Sequence, residues 1–254
     1  MNKKLEDKHV LITGSYGNLG RAIAEACAIE GAILHLQGRL WTMEHQKWAE
    51  KLISSEVYLY KADLEVPQDI DLLFDQIHTR TDRLDVLINN AGVQDITFLE
   101  SMPLKIWNRM ISVNLTAAHL LTQHFAKDAR GFPNGKTSSI VNILSIESER
   151  PAEGHSHYAA AKGGLLQYTK AAAFELGKLG IRVNAVSPGL LDRDGIEHDW
   201  PEGVKRYSEA SPLKRLVKVD EIAESVMFLA GDSSEAVTGI NLIVDAGLCS
   251  GPGY

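Results

Sequence analysis

The sequence predicts an α/β fold in which one doubly wound, seven-stranded parallel sheet is covered by helices on both faces. Short aliphatic and β-branched runs alternate with helical patterns, and the runs are too uniformly apolar for strands with one face in water. Such alternation is typical of right-handed crossovers between parallel strands. We expect residues 1–254 to form a single domain, because no repeat, low-complexity segment or Pro/Ser-rich linker divides them.

Seven runs predict the strands, since each is short, apolar and followed by polar or turn-forming residues. In chain order they are HVLIT near residue 9, ILHLQ from Ile33, VYLYK from Val57, DVLIN from Asp85, SIVNIL from Ser139, IRVNAV from Ile181 and INLIV from Ile240.

Helical periodicity fills the intervals between these runs. The predicted helices cover residues 19–30, 42–53, 67–80, 103–130, 157–178 and 219–230. Pro67 and Pro103 favour helix starts, where a missing N–H costs least, and Gly31 and Gly180 favour helix ends.

Composition and charge describe an ordinary globular chain: 44% of its residues are hydrophobic, 23% are charged, and the formal net charge is −7. Polyanion binding requires clustered Lys and Arg, so we expect no nucleic-acid partner.

The N-terminus lacks a secretory apolar segment and no run nears the roughly 18 apolar residues that span a bilayer, so we expect no membrane association. Cys27 and Cys249 form no disulfide framework, which favours reduced thiols in a cytoplasmic protein.

The stretch 13-TGSYGNLG-20 joins the first predicted strand to the first predicted helix. Its glycines have the spacing G-x-x-G-x-x-G, although dinucleotide sites usually have G-x-G-x-x-G. A glycine turn that opens a helix directs backbone N–H groups and the positive end of the helix dipole towards a phosphate. An ordinary tight turn is the alternative. The expected phosphate cradle comprises Gly14, Ser15, Tyr16, Gly17, Asn18, Leu19 and Gly20.

The end of the second strand, 35-HLQGRL-40, indicates which nucleotide would bind. An NAD site usually places a carboxylate there for the ribose 2′-hydroxyl, whereas this sequence has Gly38 followed by Arg39. A guanidinium pairs with a 2′-phosphate that a carboxylate would repel. The alternative is a solvated surface arginine. We therefore expect NADP(H) as the preferred cofactor and NAD(H) as the alternative.

The motif 158-YAAAK-162 places Tyr158 and Lys162 one turn apart on the same helix face. An ammonium next to a phenol favours the phenolate, and a solvated i,i+4 pair is the alternative. Ser145 ends the strand 140-IVNILS-145, where its hydroxyl is suited to hold a carbonyl or alcohol oxygen. Asn114, in 113-VNL-115, is polar within an apolar helical pattern; its alternative is a core asparagine satisfied locally.

These motifs occur together and in order. TG-x-x-x-x-x-G after the first strand, 89-NNAG-92 after the fourth, VNL, the strand-end serine, Y-x-x-x-K and 187-SPG-189 after the sixth resemble the short-chain dehydrogenase/reductase family in its classical form. The likeness runs from about Lys4 to about Gly247. It implies a Rossmann fold and hydride transfer between a nicotinamide cofactor and a carbinol carbon.

The resemblance also implies a role for each residue of a catalytic tetrad. Ser145 would orient the substrate carbonyl or hydroxyl, and Tyr158 would pass a proton to or from its oxygen. Lys162 would lower the Tyr158 pKa and bind the nicotinamide ribose, while Asn114 would hold a water of a proton relay. The implied cofactor contacts beyond the glycine loop and Arg39 are Asp63, Leu64, Asn90, Ala91, Gly92, Tyr158, Lys162, Pro188, Gly189 and Leu191.

Three positions depart from the family's pattern. Asn18 and Ser148 stand where the family has glycine, and Arg193 stands where a threonine commonly contacts the cofactor. Because Asn tolerates positive φ, we expect Asn18 to keep the family's backbone path. The alternative is that Gly17 takes over the close approach to the pyrophosphate.

The substrate pocket is expected to be polar, with Ser145, Tyr158, Gln94, Glu147 and Arg193 binding the substrate. Its other expected wall residues are Glu149, Arg150, His155, His157, His198 and Trp200, and residues 190–212 are expected to form a lid. A hydrocarbon would leave these polar groups unpaired, so we expect a small sugar-like, polyol or hydroxy acid substrate. The alternative is that these side chains point into solvent. No Cys or Asp cluster completes a zinc site with the histidines, and we expect no metal.

Other functions stay open. One is reduction of a 3-oxoacyl or other less polar carbonyl substrate; another is a non-catalytic nucleotide-binding regulator, which would lose the tetrad. A dehydratase or epimerase of the extended relatives would carry a larger substrate domain, for which the residues after Val244 leave no room. Gly163 and Gly164 weaken their helix and suggest close helix packing, so we expect a homotetramer or homodimer.

Overall fold

The computed structural model describes residues 3–52, 56–129 and 138–251. The strands are β1 (His9–Ile12), β2 (Ile33–Gly38), β3 (Val57–Lys61), β4 (Val86–Asn89), β5 (Ser138–Ile143), β6 (Ile181–Pro188), β7 (Leu191–Asp192), β8 (Val217–Lys218) and β9 (Asn241–Val244). The helices are α1 (Asn18–Ile29), α2 (Met43–Ala49), α3 (Pro67–His78), α4 (Leu104–Ile111), α5 (Ala117–Ala129), α6 (Ser156–Leu176), α7 (Ile196–Asp199), α8 (Pro201–Ala210) and α9 (Val219–Ala230).

The main sheet has seven parallel strands in the order β3-β2-β1-β4-β5-β6-β9. The chain winds outwards from β1 to one edge and from β4 to the other, so a crevice opens between the carboxyl ends of these two strands. The predicted α/β fold with its seven-stranded sheet is thereby confirmed. Among the described residues, no helix is long and apolar enough to cross a membrane.

Both faces of the sheet are packed against helices. Val10 and Ile12 of β1 belong to one core with residues of α1 and α9, whereas Leu11 between them belongs to a second core. The second core includes Phe74 of α3 and Phe125 of α5. This alternation explains why the central strands carry apolar side chains on both faces, since successive side chains point to opposite sides of the sheet.

Helices α1 and α9 lie side by side on the first of these faces. Cys27 Sγ and Met227 Sδ are 3.5 Å apart although the two residues are separated by 200 positions in the chain. The buried Arg182 of β6 donates to the carbonyl oxygens of Leu229 and Gly231, where α9 ends. The helix that starts at the glycine loop is thus packed against a helix from the other end of the fold.

Several predicted boundaries are corrected by the structure. The helix predicted over 103–130 is interrupted by a π-helical turn at Ser112–Thr116, and the one predicted over 42–53 is shorter. Residues 53 and 130 lie outside the described residues. The segment 190–212 is not an irregular loop: it contains α7, α8 and β7, which pairs with β8 in a second, two-stranded sheet. Gly31 and Gly180 do end helices, with φ of 83° and 73°.

Candidate active site

A hydrogen-bond cluster around Thr13 joins the carboxyl ends of β1 and β4. Thr13 Oγ1 accepts from the backbone N–H groups of Asn90 and Ala91, at 3.0 Å each. Asn90 Nδ2 donates to the carbonyl oxygens of Thr13 and Gly14, at 2.9 and 3.1 Å. Gly14 has a φ of 60°, and a Cβ on it would lie 2.9 Å from Ala91 Cα, so this position needs glycine. The glycine loop and the NNAG segment therefore form one wall of the crevice.

The start of α1 corrects the expectation for Asn18. Asn18 is the first residue of α1 and does not have positive φ, while Gly17 is the N-cap with a φ of −70°. The idea that Asn18 preserves a left-handed backbone is therefore wrong, because a helical residue needs negative φ. Among the residues that the structure describes, no contact requires glycine at position 17, where a Cβ would lie 3.6 Å from Gly14 O. A close approach of Gly17 to the pyrophosphate stays a prediction.

The side chain of Tyr16 covers the end of β2. Its ring stacks on His45 with 4.6 Å between centroids and meets Trp41 edge-on at 5.8 Å. A Cβ on Gly38 would overlap the Tyr16 ring, so a carboxylate side chain has no space at position 38. Arg39, the next residue, is exposed and accessible to a ligand.

Asp63 caps the turn that follows β3, because its Oδ1 accepts the backbone N–H of Glu65 at 3.0 Å. Asp63 thus has a structural role as a turn cap, and its contact with the cofactor stays a prediction. Leu64 is buried beside the crevice, 7% exposed. Leu191 lies in β7, directly after Pro188 and Gly189 at the end of β6.

Asn114 lies buried in the π-helical turn between α4 and α5. Its Oδ1 accepts from the Val93 N–H at 3.3 Å, and its Nδ2 donates to the carbonyl oxygens of Val93 and Met110 at 3.0 and 3.1 Å. The side chain therefore fixes the segment that follows β4, directly beside Gly92. Such turns recur at functional sites because the extra residue redirects side chains and frees backbone groups. The water-holding role stays a prediction.

Between the end of β5 and the start of α6, the Ser145 hydroxyl lies close enough to Tyr158 to lower the Tyr158 pKa. Ser145 Oγ accepts the backbone N–H of Glu147 at 3.1 Å. Burial raises the pKa of Tyr158 to about 12; the Ser145 hydroxyl opposes this shift and the negative charge of Glu147 adds to it. Tyr158 is therefore protonated at neutral pH in this state and is a proton donor.

Lys162 lies one helical turn beyond Tyr158 and is 4% exposed. Its Nζ donates to the carbonyl oxygen of Ile143 at 2.8 Å and lies 5.6 Å from the centroid of the Tyr158 ring. Burial lowers the pKa of Lys162 to about 8, and among the described residues it has no carboxylate partner. Burial is the main influence on the pKa of Tyr158 in this structure, and the lowering by Lys162 that the resemblance implies stays a prediction.

Three polar side chains cluster beside Tyr158. Glu147 Oε2 lies 2.9 Å from His155 Nδ1, and Gln94 Nε2 donates to Glu147 Oε1 at 3.2 Å. The side chains of Glu147 and His155 are each 12% exposed, and the ring centroids of His155 and Tyr158 are 5.9 Å apart. The predicted residues Gln94 and Glu147 are thus brought next to the hydroxyl pair.

Other expected wall residues have different partners. Arg193 pairs with Asp199 of α7 at 2.9 Å, within the expected lid. Arg150 donates to the carbonyl oxygens of Leu248, Cys249 and Gly251, so its charge is directed at the C-terminal segment and not into the pocket. The remaining expected wall residues differ in burial: Glu149, His198 and Trp200 are exposed to solvent, and His157 is buried.

The segment 190–212, which was expected to form a lid, is anchored where β6 ends. Tyr207 of α8 donates its hydroxyl to the carbonyl oxygen of Asp245 at 2.6 Å. A Cβ on Gly189 would overlap that hydroxyl, so the SPG segment, α8 and the residues after β9 fit together only with glycine at this position.

Two arrangements were not predicted from the sequence. One is the bridge formed by Thr13, for which the threonine directly before the first glycine was a usable signal. The other is the pairing of Glu147 with His155. This contact depends on the path of the intervening residues, so the separation of the two residues in the sequence does not predict it. Within the described ranges, no group of three or more His, Cys, Asp and Glu side chains is placed to hold a metal ion.

The crevice, the glycine loop and the Ser–Tyr–Lys arrangement define a nucleotide-dependent oxidoreductase, and the comparisons with known proteins agree. The family model described as Enoyl-(Acyl carrier protein) reductase matches residues 14–249. The chain belongs to the short-chain dehydrogenase/reductase family. It is an NAD(P)-dependent dehydrogenase/reductase that acts on CH–OH and C=O groups.

Similar proteins cover nearly the whole chain. The 3-oxoacyl-[acyl-carrier-protein] reductase FabG of Aquifex aeolicus (strain VF5) is 32% identical over 253 residues, which are 98% of this chain and 100% of that protein. D-beta-hydroxybutyrate dehydrogenase of Rhizobium meliloti (strain 1021) is 30% identical, over 94% of this chain and 98% of that protein. A crystal structure from Agrobacterium tumefaciens, provisionally assigned as a gluconate dehydrogenase, has a TM-score of 0.92 at 30% identity and covers 99% of this chain and 100% of its own.

Proposed function

We propose that this chain is an NADP(H)-dependent oxidoreductase that interconverts a secondary alcohol and a ketone on a small polar substrate, such as a sugar derivative, polyol or hydroxy acid. One observation supports this most: the neighbouring Ser145 and Tyr158 lie next to a buried Lys162 that has no carboxylate partner in the described part of the chain. A buried cation without a counter-ion is costly, so a purely structural role accounts poorly for it. The intact tetrad also argues against a non-catalytic regulator.

The residues present fit a dinucleotide. The glycine loop opens α1 beside the NNAG segment, where backbone N–H groups suit a pyrophosphate, and Lys162 keeps N–H donors unused for ribose hydroxyls. When bound, the nicotinamide supplies or accepts the hydride.

The remaining steps belong to the chain's own side chains. Ser145 donates a hydrogen bond to the substrate oxygen and holds it beside the Tyr158 hydroxyl. In ketone reduction Tyr158 gives its proton to that oxygen, and in alcohol oxidation it takes the proton back. The charge of Lys162 stabilises the phenolate that remains after proton donation. The protonated state of Tyr158 at neutral pH suits the donor role.

The preference for NADP(H) rests on the end of β2. The Tyr16 ring leaves no space for a carboxylate at Gly38, and the exposed Arg39 follows directly. We expect Arg39→Asp to lower kcat/KM with NADP(H) by about 10- to 100-fold and to favour NAD(H), because a bidentate charged pair is lost and a repulsive charge gained. Lys47→Asp, which makes the same charge change on α2, should leave the preference unchanged. Equal losses in both variants would contradict the assignment of Arg39.

The reaction itself is tested by following nicotinamide absorbance with polyols, sugars, hydroxy acids and their ketones. Tyr158→Phe should lower kcat at least about 100-fold on the substrate found, because the proton donor is gone. Tyr168→Phe, on the same helix, is the matched control and should retain activity. A Tyr158→Phe enzyme as fast as the wild type would refute the mechanism.

A 3-oxoacyl substrate is the second candidate, because one relative at 32% identity is named 3-oxoacyl-[acyl-carrier-protein] reductase. A 3-oxoacyl thioester belongs in the same panel. Turnover of the thioester above that of every polar substrate would support this alternative.

We also propose a homotetramer or homodimer in the cytoplasm. Phe174 of α6 is 90% exposed, which is unusual for a large apolar side chain that no partner covers. Both cysteines are free thiols, in keeping with a reducing compartment. Light scattering on purified protein measures the molar mass and so the number of subunits. Phe174→Lys should reduce this number, whereas the control Lys170→Glu, at an exposed position of the same helix, should leave it unchanged.

A further inference from the structure

We propose that Glu147 and His155 select a neutral, hydroxyl-bearing arm of the substrate and reject a carboxylate in the same place. This inference rests on the proposed function and narrows its substrate class from polar compounds in general to polyols and neutral sugars. It makes the pair a specificity determinant beside the reacting carbon.

The placement of the pair follows from the two segments that carry the catalytic hydroxyls. Glu147 belongs to the short 3₁₀ helix Ile146–Ser148 directly after Ser145, and its backbone N–H donates to Ser145 Oγ at 3.1 Å. His155 is the N-cap residue of α6, three positions before Tyr158, with 5.9 Å between the two ring centroids. A substrate whose oxygen lies between the Ser145 and Tyr158 hydroxyls therefore has its neighbouring carbons within reach of the pair.

The charge of Glu147 is held next to that position. The side chain is 12% exposed, and the imidazole of His155, 2.9 Å away, is the only basic side chain in contact with it among the described residues. No lysine or arginine of the described chain neutralises it, since Arg150 is directed at the C-terminal segment and Arg193 at Asp199. A substrate carboxylate beside Glu147 would meet a like charge in a poorly solvated place, which weakens binding by about tenfold or more.

The hydrogen-bonding capacity of the pair also favours hydroxyl groups. Glu147 presents acceptor oxygens only, and His155 directs Nδ1 towards them, which assigns the proton to Nδ1. The opposite nitrogen, His155 Nε2, is buried and has no partner among the described residues. In the neutral ring it is an acceptor that needs a donor. A hydroxyl donates, whereas a carboxylate has no hydrogen to give, so only the hydroxyl satisfies these atoms.

The test uses substrate pairs that differ by one group: D-glucitol with D-gluconate, and butane-1,3-diol with 3-hydroxybutanoate. For the wild type we expect kcat/KM for the alcohol to exceed that for the acid by about tenfold or more. Glu147→Gln should lower this ratio about tenfold, mainly through a lower KM for the acid, because the repelling charge is gone. Glu153→Gln is the matched control: it removes the same charge from an exposed position six residues away and should leave the ratio unchanged.

Glu147→Asp keeps the charge and should keep the preference for the alcohol, which separates charge from general damage to the pocket. Calorimetric titration of each alcohol and acid into the NADP⁺-loaded protein gives the same comparison without turnover. A wild type that prefers the acids, or a ratio changed less than about twofold by Glu147→Gln, overturns the inference. Selective binding of alcohols without any turnover would instead support the inference and refute the proposed reaction.

Discussion

Replacing Lys162 by methionine should make the cofactor-free protein more stable at neutral pH while removing its activity. Lys162 is 4% exposed, and its ammonium has one hydrogen bond, to the Ile143 carbonyl. Methionine has a similar length and fills the same space without a charge. The charge of Lys162 therefore lowers the stability of the protein. Such a cost is common for a group that the active site requires and the fold does not require.

The size of the gain follows from the pKa of Lys162. Burial lowers it from 10.5 to about 8, which at about 1.4 kcal/mol per pH unit corresponds to about 3 kcal/mol at neutral pH. Loss of the hydrogen bond to Ile143 O costs about 1 kcal/mol. We therefore expect Lys162→Met to raise the free energy of unfolding by about 2 kcal/mol at pH 7.

The pH dependence has a definite sign. Between about 8 and 10.5 the folded protein binds fewer protons at Lys162 than the unfolded chain, so wild-type stability rises with pH in this window relative to the variant. Urea unfolding at pH 7 and at pH 9.5, with equal protomer concentrations, measures both effects. A variant that is less stable than the wild type at pH 7, or a difference that does not shrink at pH 9.5, would refute the reasoning.

Three further outcomes are expected from the packing. Gly38→Asp should destabilise the protein by about 1–3 kcal/mol in urea unfolding, because its Cβ overlaps the Tyr16 ring, and Tyr16→Ala in the same chain should recover most of the loss. Gly189→Ala should lower the free energy of unfolding by about 2 kcal/mol or more. Adding Tyr207→Phe should restore only part of this loss, because the new Cβ also lies 2.9 Å from the Asp245 backbone. Arg150→Met should speed hydrogen exchange in residues 248–251, since three carbonyl contacts are lost; unchanged protection there would show that the arginine does not hold this segment.

The fold could be predicted because its signals are local. The central strands are buried and predominantly apolar, and Gly31 and Gly180 end helices at positive φ. The π-helical turn at Ser112–Thr116 could not be predicted, because one extra residue in a turn hardly changes the apolar periodicity around Asn114. The lid was predicted as a long loop because α7 and α8 are short and highly charged.

In the candidate site, too, only the features with a local sequence signal could be predicted. Tyr158 and Lys162 share one helix turn and Ser145 ends a strand, so their spacing in the sequence indicates their positions. Arg150 was expected in the pocket because its neighbours are there, yet three carbonyl oxygens about 100 residues later determine its direction. The prediction for Asn18 was wrong because Asn tolerates positive φ but does not require it. The first helix begins one residue earlier than expected, at Asn18, and gives this residue a helical conformation.

The contact between Cys27 and Met227 has a consequence for synthesis of the protein. The helix that begins at the glycine loop emerges from the ribosome with one apolar face uncovered, and the helix that covers this face is made 200 residues later. At about 5–20 residues per second the interval is roughly 10–40 s. During that time the α1 face that α9 covers in the folded protein stays exposed, and transiently exposed apolar surface of this kind promotes aggregation.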